Sequence, residues 1–298
     1  MTPFEIKLPA TSANLGPGFD AVGLAMALYL TIEARVADSF HITATGVDAE
    51  LCASLERNLI LETYREVAGS TAPALALTLH NEIPLGMGCG SSAAALLAGV
   101  FLANHFSSLG WTPEQILEEA CRREGHPDNV AACFYGGMTI SAEVDGRIVA
   151  TTCGVDLKWR LILAHPAASL ATEKARALLP DGYSRADAVA NIQSVALLTA
   201  AFALDRPELL HAATRDRIHQ PYRSEACALL PALLPLSGTQ GIYGVALSGA
   251  GPSVLLLSDP AAELDPVLDR IRTLAGDFNP KTRVISISSG AVTRMLPR

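Results

Sequence analysis

The sequence predicts an α+β protein that is built in two lobes. Short runs of β-branched and apolar residues suit strands, runs bounded by capping residues suit helices, and both kinds occur in each half of the chain. The chain has 298 residues, of which 50% are hydrophobic and 17% charged, so it is long enough for two ordinary domains and too apolar for extensive disorder. We predict a boundary near residues 153–157, which divides the chain into 1–154 and 155–298.

The first half contains most of the predicted strands. Partial alternation of apolar residues predicts them over residues 4–10, 24–36, 41–45, 74–80 and, as a pair, 138–152. The glycines and the proline of residues 9–23 predict a turn-rich segment between the first two strands. Residues 125–137 are also rich in turn and polar residues at their start and are predicted as a second such segment.

Three helices are predicted in the same half. One covers residues 58–68, with Asn58 as its N-cap and Gly69 as its stop. A second begins near Ala93, in an alanine and leucine run. The third covers residues 112–123, because Thr112 can cap it and proline suits the first turn that follows.

The second half is predicted to mix helices with three strands. The strands cover 158–164, 242–247 and 254–257, and the helices cover 172–179, 186–204, 207–217 and 261–275. The last two strands flank the segment LSGAGPS, which by itself predicts a hairpin loop.

Charge and composition exclude several classes of protein. The 22 basic and 30 acidic side chains give a net charge of −8, which argues against nucleic acid or an anionic membrane as the main partner. No apolar run reaches the roughly 20 residues that span a bilayer, and the N-terminus lacks the pattern of a signal peptide. The 6 cysteines form no CxxC pair. We therefore predict a cytoplasmic protein with reduced thiols.

Residues 84–95, PLGMGCGSSAAA, are the most informative segment. Three glycines alternate, two serines follow, and a helix-forming run comes next. Backbone N–H groups that lead into a helix N-terminus favour anions, so the segment suits a phosphate cradle. Glycines also suit a tightly packed turn before a buried helix, and the loop alone does not separate these alternatives.

Two further segments change that balance. PATSANLGPGFD, at residues 9–20, and LSGAGPS, at residues 247–253, each place glycines beside particular polar residues. Together with PLGMGCGSSAAA they resemble the three motifs of the GHMP kinases. The first motif and the segment HPDNVAACFYGG are most similar to the homoserine kinase branch, and the resemblance runs from about residue 5 to residue 257.

The resemblance implies a fold, an activity and two cofactors. The expected fold is the two-lobed GHMP kinase arrangement, with an N-terminal lobe like domain 2 of ribosomal protein S5 and a ferredoxin-like C-terminal lobe. The expected reaction is transfer of phosphate from ATP, with Mg²⁺, to the side-chain hydroxyl of L-homoserine in threonine biosynthesis. Family members often form dimers, so a homodimer is also expected.

The resemblance also assigns the nucleotide and metal sites. The loop that contacts ATP comprises Pro84, Leu85, Gly86, Met87, Gly88, Cys89, Gly90, Ser91, Ser92, Ala93 and Ala94. A loop serine, Ser92 or its neighbour Ser91, and Glu118 on the next helix are expected to hold Mg²⁺. Cys89 departs from the family pattern, which usually has leucine there. We expect its side chain to pack, and its thiol makes oxidation or alkylation worth testing.

The substrate site is assigned in the same way. Arg176 and Arg223 are expected to bind the substrate carboxylate, because arginine forms two parallel hydrogen bonds with it. Thr172 lies one turn before Arg176 on the predicted helix and joins that site. Asp20 suits the ammonium group. The residues expected to orient the substrate around its hydroxyl are Asn14, His126 and Asn129.

The general base and the exact acceptor stay open at this point. His126 could accept the proton of the hydroxyl, or transfer could proceed without a dedicated base, because a loose transition state needs little activation of the nucleophile. The rivals to homoserine phosphorylation are a kinase for another small alcohol and a catalytically silent nucleotide-binding protein.

Overall fold

The computed structural model describes residues 2–167 and 172–297. Within these residues the strands form two sheets, one of seven strands and one of four. The first sheet contains β1 (Phe4–Asn14), β2 (Gly18–Val36), β3 (His41–Gly46), β4 (Leu75–Asn81), β5 (Met138–Val144), β6 (Arg147–Cys153) and β11 (Val292–Met295). The second contains β7 (Arg160–His165), β8 (Ile242–Leu247), β9 (Val254–Ser258) and β10 (Lys281–Ile285).

The first sheet is organised around the long strand β2. Its order is β11-β1-β2-β4-β3, and β5 also pairs with β2 and carries β6 at its other side. Strand β3 runs parallel to β4, so the chain crosses between them through two helices, and the other pairs are antiparallel. The helices of this lobe are α1 (Ala49–Ala53), α2 (Leu59–Ala68), α3 (Ser91–Phe106), α4 (Pro113–Glu124) and α5 (Pro127–Tyr135).

Helices α2 and α4 begin where their capping residues predict. The Asn58 side chain accepts a hydrogen bond from the Leu61 N–H at 3.3 Å. Thr112 and Gln115 form a reciprocal capping box, with hydrogen bonds of 2.9 and 3.3 Å between each side chain and the other residue's N–H. Local sequence therefore fixes both helix starts.

The second sheet confirms the expected ferredoxin-like lobe. Its order is β10-β7-β9-β8, and all three pairs are antiparallel. Numbered within the lobe this is strand order 4-1-3-2 in a β-α-β-β-α-β chain, which defines the ferredoxin-like arrangement. The helices of this part are α6 (Thr172–Arg176), α7 (Arg185–Ala203), α8 (Leu210–Ala213), α9 (Gln220–Arg223), α10 (Leu229–Leu233) and α11 (Leu264–Ala275).

The sheets bear on how the chain divides into lobes. The first six strands of the first sheet end at Cys153 and the second sheet begins at Arg160, on either side of the division at 154 and 155. Strand β11 returns to the first sheet, where it pairs with β1. We therefore propose that the two lobes divide at residues 154 and 155, except that the C-terminal strand belongs with the N-terminal lobe.

Helix α7 is the one described helix that is long and apolar enough to cross a membrane by length and composition alone, with a mean hydropathy of 1.3. One such helix is weak evidence of a span. Its Leu198 and Phe202 are buried, and Phe202 packs at 4.8 Å from the Trp159 ring beside β7. Asn191, in the middle of the helix, is also buried and hydrogen-bonded.

The turn-rich prediction for residues 9–23 is wrong over most of its length. Only residues 15–17 form the turn, and the flanking residues extend β1 and β2 as a bulged antiparallel pair. Gly23 lies within β2. A Cβ at this position would lie 2.3 Å from the Asp128 carbonyl oxygen on α5, so only glycine fits there. The glycine therefore permits a close approach of helix to sheet rather than a turn.

Other element predictions also needed correction. Residues 125–137 hold helix α5, whose Pro127 suits a first turn. The helix predicted over 172–179 ends at Arg176, the one over 207–217 is a 3₁₀ turn followed by α8, and the one over 261–275 begins at Leu264. The sequence reading missed β10, β11 and the short helices α1, α9 and α10. Helices of one turn lack the repeating pattern by which longer ones are recognised.

Candidate active site

The three glycine-bearing segments meet in one cleft between the two lobes. One wall comes from the end of β1 and the start of β2, and another from the loop before α3. The end of α4 and the start of α5 close one side, and Arg176, Arg223, Gly249 and Ala250 close the other. Each segment connects two regular elements, so the sheets fix the positions of all three.

The glycine loop leads directly into helix α3. Gly86, Gly88 and Gly90 have φ of 68°, 70° and 69°, a left-handed conformation that glycine adopts without strain. Gly90 precedes the first residue of a 16-residue helix. The unpaired N–H groups at this helix start and its dipole favour phosphate oxygens.

Gly88 is also where the glycine loop touches LSGAGPS. The Ser248 hydroxyl donates to the Gly88 carbonyl at 2.7 Å. A Cβ at Gly88 would lie 2.3 Å from the carbonyl oxygen of Ser248 and 2.7 Å from that of Gly251. The loop therefore fits against LSGAGPS only with glycine at this position.

Glu124, and not Glu118, stands beside the loop serines. The Ser92 hydroxyl donates to Glu124 Oε2 at 2.7 Å, and both residues line the cleft. Glu118 lies six residues earlier on α4, which places it roughly 9 Å along the axis and 120° around it. It lines a separate surface pocket with Trp111. Glu118, which the resemblance assigned to the metal, therefore lies outside the cleft, and Glu124 is the carboxylate beside Ser92.

A hydroxyl and a carboxylate are suitable ligands for Mg²⁺, a hard cation that prefers oxygen. Burial raises the pKa of the Glu124 carboxyl above its ordinary value, and the hydrogen bond from Ser92 opposes that shift. Ser91 also lines the cleft and keeps its place as the alternative loop serine.

Asp20 and Arg176 pair with each other across the cleft. Arg176 Nη1 and Nη2 donate to the two Asp20 carboxylate oxygens at 2.9 and 3.0 Å. Their side chains are 33% and 42% exposed, so a ligand can reach both charges. Asp20 has a φ of 55°, which is uncommon outside glycine and marks a conformation that its surroundings impose.

Arg223 is the second arginine of the cleft and is almost fully buried. Its Nε donates to the Ala175 carbonyl at 3.1 Å, and its Nη1 contacts His219 Nδ1 at 3.1 Å. Burial lowers its pKa, and the positive charge of Arg176 lowers it further. Two guanidinium groups on one side of a cleft make a site for an anion such as a carboxylate.

Asn14 holds the cleft together with its side chain. Its Nδ2 donates to the Gly249 carbonyl at 3.0 Å, and its Oδ1 accepts from the Asp20 N–H at 3.0 Å. The residue lines the cleft but is 4% exposed. Its amide therefore joins the first motif to the third and orients Asp20.

The HPDN segment forms the opposite side of the substrate space. His126 Nδ1 lies 2.6 Å from Asp128 Oδ1, which also accepts from the Asn129 N–H at 2.6 Å. Burial lowers the pKa of His126, but the hydrogen bond and charge of Asp128 outweigh it, so the pKa is raised. Thr11 donates to Asn129 Oδ1 at 2.7 Å, which leaves the Asn129 amide group to donate.

Asp20, His126 and Asp128 place one ligand atom each within 4.8 Å of one another. These groups already pair with Arg176 or with each other, as described above. The negative charge of this group suits the ammonium end of a small ligand.

Several predicted residues lie away from the cleft surface. Some members of the predicted ATP loop line neither this cleft nor the second cavity, which is described below. In the described part of the chain these are Pro84, Met87, Ala93 and Ala94. Ala93 and Ala94 face the core at 0% exposure. Thr172 begins α6, but its side chain lies outside what the structure describes.

Cys89 packs as expected, and its burial disfavours the thiolate form. It is 1% exposed, and burial raises its pKa to about 12. Its Sγ lies 3.6 Å from the Met87 carbonyl and 3.9 Å from Ser253 Oγ. The 6 cysteines, all in the described ranges, are free thiols.

A second cavity of about 300 Å³ opens on the other side of the loop serines. It shares Ser91 and Ser92 with the cleft, and its other walls are largely apolar, including Leu51, Ile60 and Ile83. A mostly apolar cavity of this size suits a planar organic group. Its position places such a group next to the phosphate loop.

The sequence reading missed Glu124, Asp128 and Thr11 as site residues. Asp128 lies inside the HPDN segment, and Glu124 lies two residues before its histidine. Their closeness to the motif was therefore a usable signal. Thr11 lies within the first motif, in the segment that the sequence predicts as turn-rich. Strand pairing, which sequence does not show, turns it toward Asn129.

Comparison with known proteins identifies the family of this chain. A model of the GHMP kinases N terminal domain matches residues 58–137. The chain is 48% identical over 264 residues to the homoserine kinase of Solibacter usitatus, covering 87% of this chain and 86% of that protein. It is 41% identical over 294 residues to the homoserine kinase of Streptomyces avermitilis, covering 96% and 94%.

Solved structures give the same result for the fold. The crystal structure of homoserine kinase from Cytophaga hutchinsonii has a TM-score of 0.79 and 25% identity, covering 99% of this chain and 98% of that one. With relatives this similar over most of both chains, the protein belongs to the homoserine kinase family of the GHMP kinases.

Proposed function

We propose that this protein phosphorylates the side-chain hydroxyl of L-homoserine with ATP and releases O-phospho-L-homoserine and ADP. The observation that carries the proposal is the meeting of Asp20, Arg176 and Arg223 with the glycine loop in one cleft. A carboxylate and two arginines match the two charged ends of an amino acid. The loop and the helix start beside them match a phosphate chain.

ATP would lie across the two joined cavities. The apolar cavity would take the adenine base, and the loop N–H groups would hold the phosphates near Ser91 and Ser92. Because the two cavities meet at these serines, the γ-phosphate would lie at the entrance to the substrate cleft.

We propose Mg²⁺ as the metal, held by Ser92 and Glu124. The pair offers a hydroxyl and a carboxylate oxygen 2.7 Å apart, which is an oxygen donor set of the kind that Mg²⁺ accepts. When bound, the ion would neutralise charge on the phosphates.

L-homoserine would bind with its carboxylate toward Arg176 and Arg223 and its ammonium group toward Asp20. The substrate brings one charge of each sign, so it can exchange partners with the Asp20–Arg176 pair without leaving a charge unbalanced. His126 and the Asn129 amide lie on the facing wall, where they would contact the hydroxyl end.

We propose that transfer proceeds without a dedicated base. The transition state of phosphoryl transfer requires positioning more than activation of the nucleophile, and the contact of His126 Nδ1 with Asp128 at 2.6 Å fixes the orientation of that ring. We also propose that the chain acts in the cytoplasm, in the biosynthesis of threonine. It would do so as a homodimer.

The decisive experiment is a coupled assay of ADP release with ATP, Mg²⁺ and a panel of acceptors. L-homoserine should give the highest kcat/KM, with a phosphate monoester of homoserine as the product by phosphorus NMR. Mevalonate and galactose test the other alcohols, and 3-aminopropan-1-ol tests the need for the carboxylate. Turnover of another alcohol in place of homoserine would refute the proposal, and so would ATP binding without turnover of any acceptor.

A further inference from the structure

We infer that His219 is a positioning residue for substrate binding, which holds Arg223 and the turn before Asp20 in a fixed relation. This inference rests on the proposed function, because it concerns the site for the substrate carboxylate. His219 is not among the residues that the sequence or the family resemblance singled out.

The two ring nitrogens of His219 join two parts of the cleft. The side chain is 0% exposed. Nε2 lies 2.7 Å from the Gly16 carbonyl oxygen, and Nδ1 lies 3.1 Å from Arg223 Nη1. A carbonyl can only accept and a guanidinium can only donate, so the ring must be neutral with its proton on Nε2. His219 thus donates to the turn and accepts from the arginine.

The charged groups around the ring agree with a neutral imidazole. Burial lowers the pKa of His219, Asp216 opposes this, and the positive charge of Arg223 lowers it further. Asp216 Oδ2 lies 3.7 Å from Nε2, but that carboxylate already accepts from the N–H groups of Ile218, His219 and Gln220. Asp216 therefore anchors the chain around His219 and leaves the ring to contact Gly16 and Arg223.

Phe19 completes the arrangement. Its ring centroid lies 5.4 Å from that of His219, and the guanidinium carbons of Arg176 and Arg223 both lie 5.5 Å from the same ring. Phe19 directly precedes Asp20 in the chain. The turn and the start of β2, which carries Asp20, are thus tied to Arg223 through His219 and through Phe19.

The consequence for Arg223 is a fixed orientation. The Ala175 carbonyl accepts from Nε, and Nη1 donates to His219 Nδ1 at 3.1 Å and to the more distant Gly249 carbonyl at 3.5 Å. Among the described residues no hydrogen-bond acceptor contacts Nη2. A guanidinium that is held at two nitrogens loses little further freedom when the third binds a carboxylate. Loss of the acceptor at Nδ1 should therefore weaken binding of the substrate carboxylate and leave ATP binding unchanged.

Two substitutions separate the two contacts. In H219N the side-chain oxygen can stand near Nδ1 and accept from Arg223, whereas in H219Q the amide can stand near Nε2 and donate to Gly16. We expect H219Q to raise KM for L-homoserine about tenfold or more and H219N to raise it no more than about threefold. In both, kcat and KM for ATP should stay within about threefold of the unaltered protein.

The test is a steady-state comparison of these variants with R223Q and the double variant H219Q/R223Q. If His219 acts through Arg223, H219Q should have little further effect on KM for L-homoserine in the R223Q background. Thermal melting checks that each variant is folded. If H219Q does not fold, H219N decides, because a folded H219N with a large rise in KM for L-homoserine overturns the inference.

Other outcomes also count against it. Parallel changes in KM for L-homoserine and ATP, or additive effects of H219Q and R223Q, would indicate a structural role only. Failure of the unaltered protein to phosphorylate L-homoserine would instead refute the proposed function, so the two failures are distinguishable.

Discussion

Arg176 donates two parallel hydrogen bonds, of 2.9 and 3.0 Å, to the carboxylate of Asp20, although the residues are 156 positions apart in the chain. Asp20 lies near the start of β2, and Arg176 is the last residue of α6. Without a substrate, each charge is balanced by the other. A ligand with one charge of each sign can separate the pair and bind both residues. The contact therefore suits an amino-acid site whose two charged residues pair with each other when no substrate is bound.

Replacement of Arg176 with lysine tests the two-bond geometry. A lysine keeps the positive charge but cannot form two parallel hydrogen bonds with a carboxylate. We expect R176K to raise KM for L-homoserine about tenfold or more, with little change in KM for ATP. Because the pair is partly exposed, the melting temperature should change little. R185K, at an exposed arginine outside the cleft, is the matched control, and an equal effect there would contradict the assignment.

Glu124 and Glu118 provide a matched pair on one helix. E124Q removes the carboxylate beside Ser92, so we expect kcat/KM to fall about 100-fold or more and the remaining activity to need more Mg²⁺. E118Q should stay close to the unaltered protein, because Glu118 faces a different pocket. Titration of activity with Mg²⁺ measures both. The reverse result would restore the assignment that the sequence favoured.

Gly88 should tolerate no larger residue, because neighbouring backbone atoms fill the space of a side chain. Gly110, which has a similar φ, provides the comparison. Gly88 and Gly110 have φ of 70° and 69°, but only Gly88 has backbone atoms in the space of a Cβ. G110A should lose about 1–2 kcal/mol of unfolding free energy from the left-handed conformation alone. G88A must also move the loop away from LSGAGPS.

We therefore expect G88A to be less stable than G110A and to bind a nonhydrolysable ATP analogue at least about tenfold more weakly. Urea unfolding and calorimetric titration measure the two effects. Equal stability and equal nucleotide affinity for both variants would show that the contact between Gly88 and the Ser248 segment has no such role.

The Cys89 thiol should resist alkylation in the folded protein. Only the thiolate reacts, and a pKa raised to about 12 keeps the thiol protonated across the working pH range. An increase in pH from 7 to 9 should therefore produce no rapid labelling of Cys89 by iodoacetamide, whereas labelling should be fast in urea. Peptide mass spectrometry separates it from the half-buried Cys52 and Cys153. Labelling of native Cys89 ahead of those two would contradict its burial.

Features that depend on neighbouring residues in the chain could be predicted from the sequence. The N-caps Asn58 and Thr112, the glycine loop before α3 and the residue pattern within each of the three motifs all involve a few neighbouring residues. Hydrogen bonds of this kind form within one turn of chain, so their partners are visible in the printed sequence. These features indicated a kinase of this family with a phosphate loop at residues 84–95.

The tertiary structure alone decided which side chains meet. It paired Asp20 with Arg176, turned Glu124 rather than Glu118 toward Ser92, and placed His219 between Gly16 and Arg223. Each of these contacts depends on strand pairing and helix orientation across the two lobes. Residues distant in the chain are brought together only by burial of the shared core and by the register of the sheets, and neither is written in any short stretch of sequence.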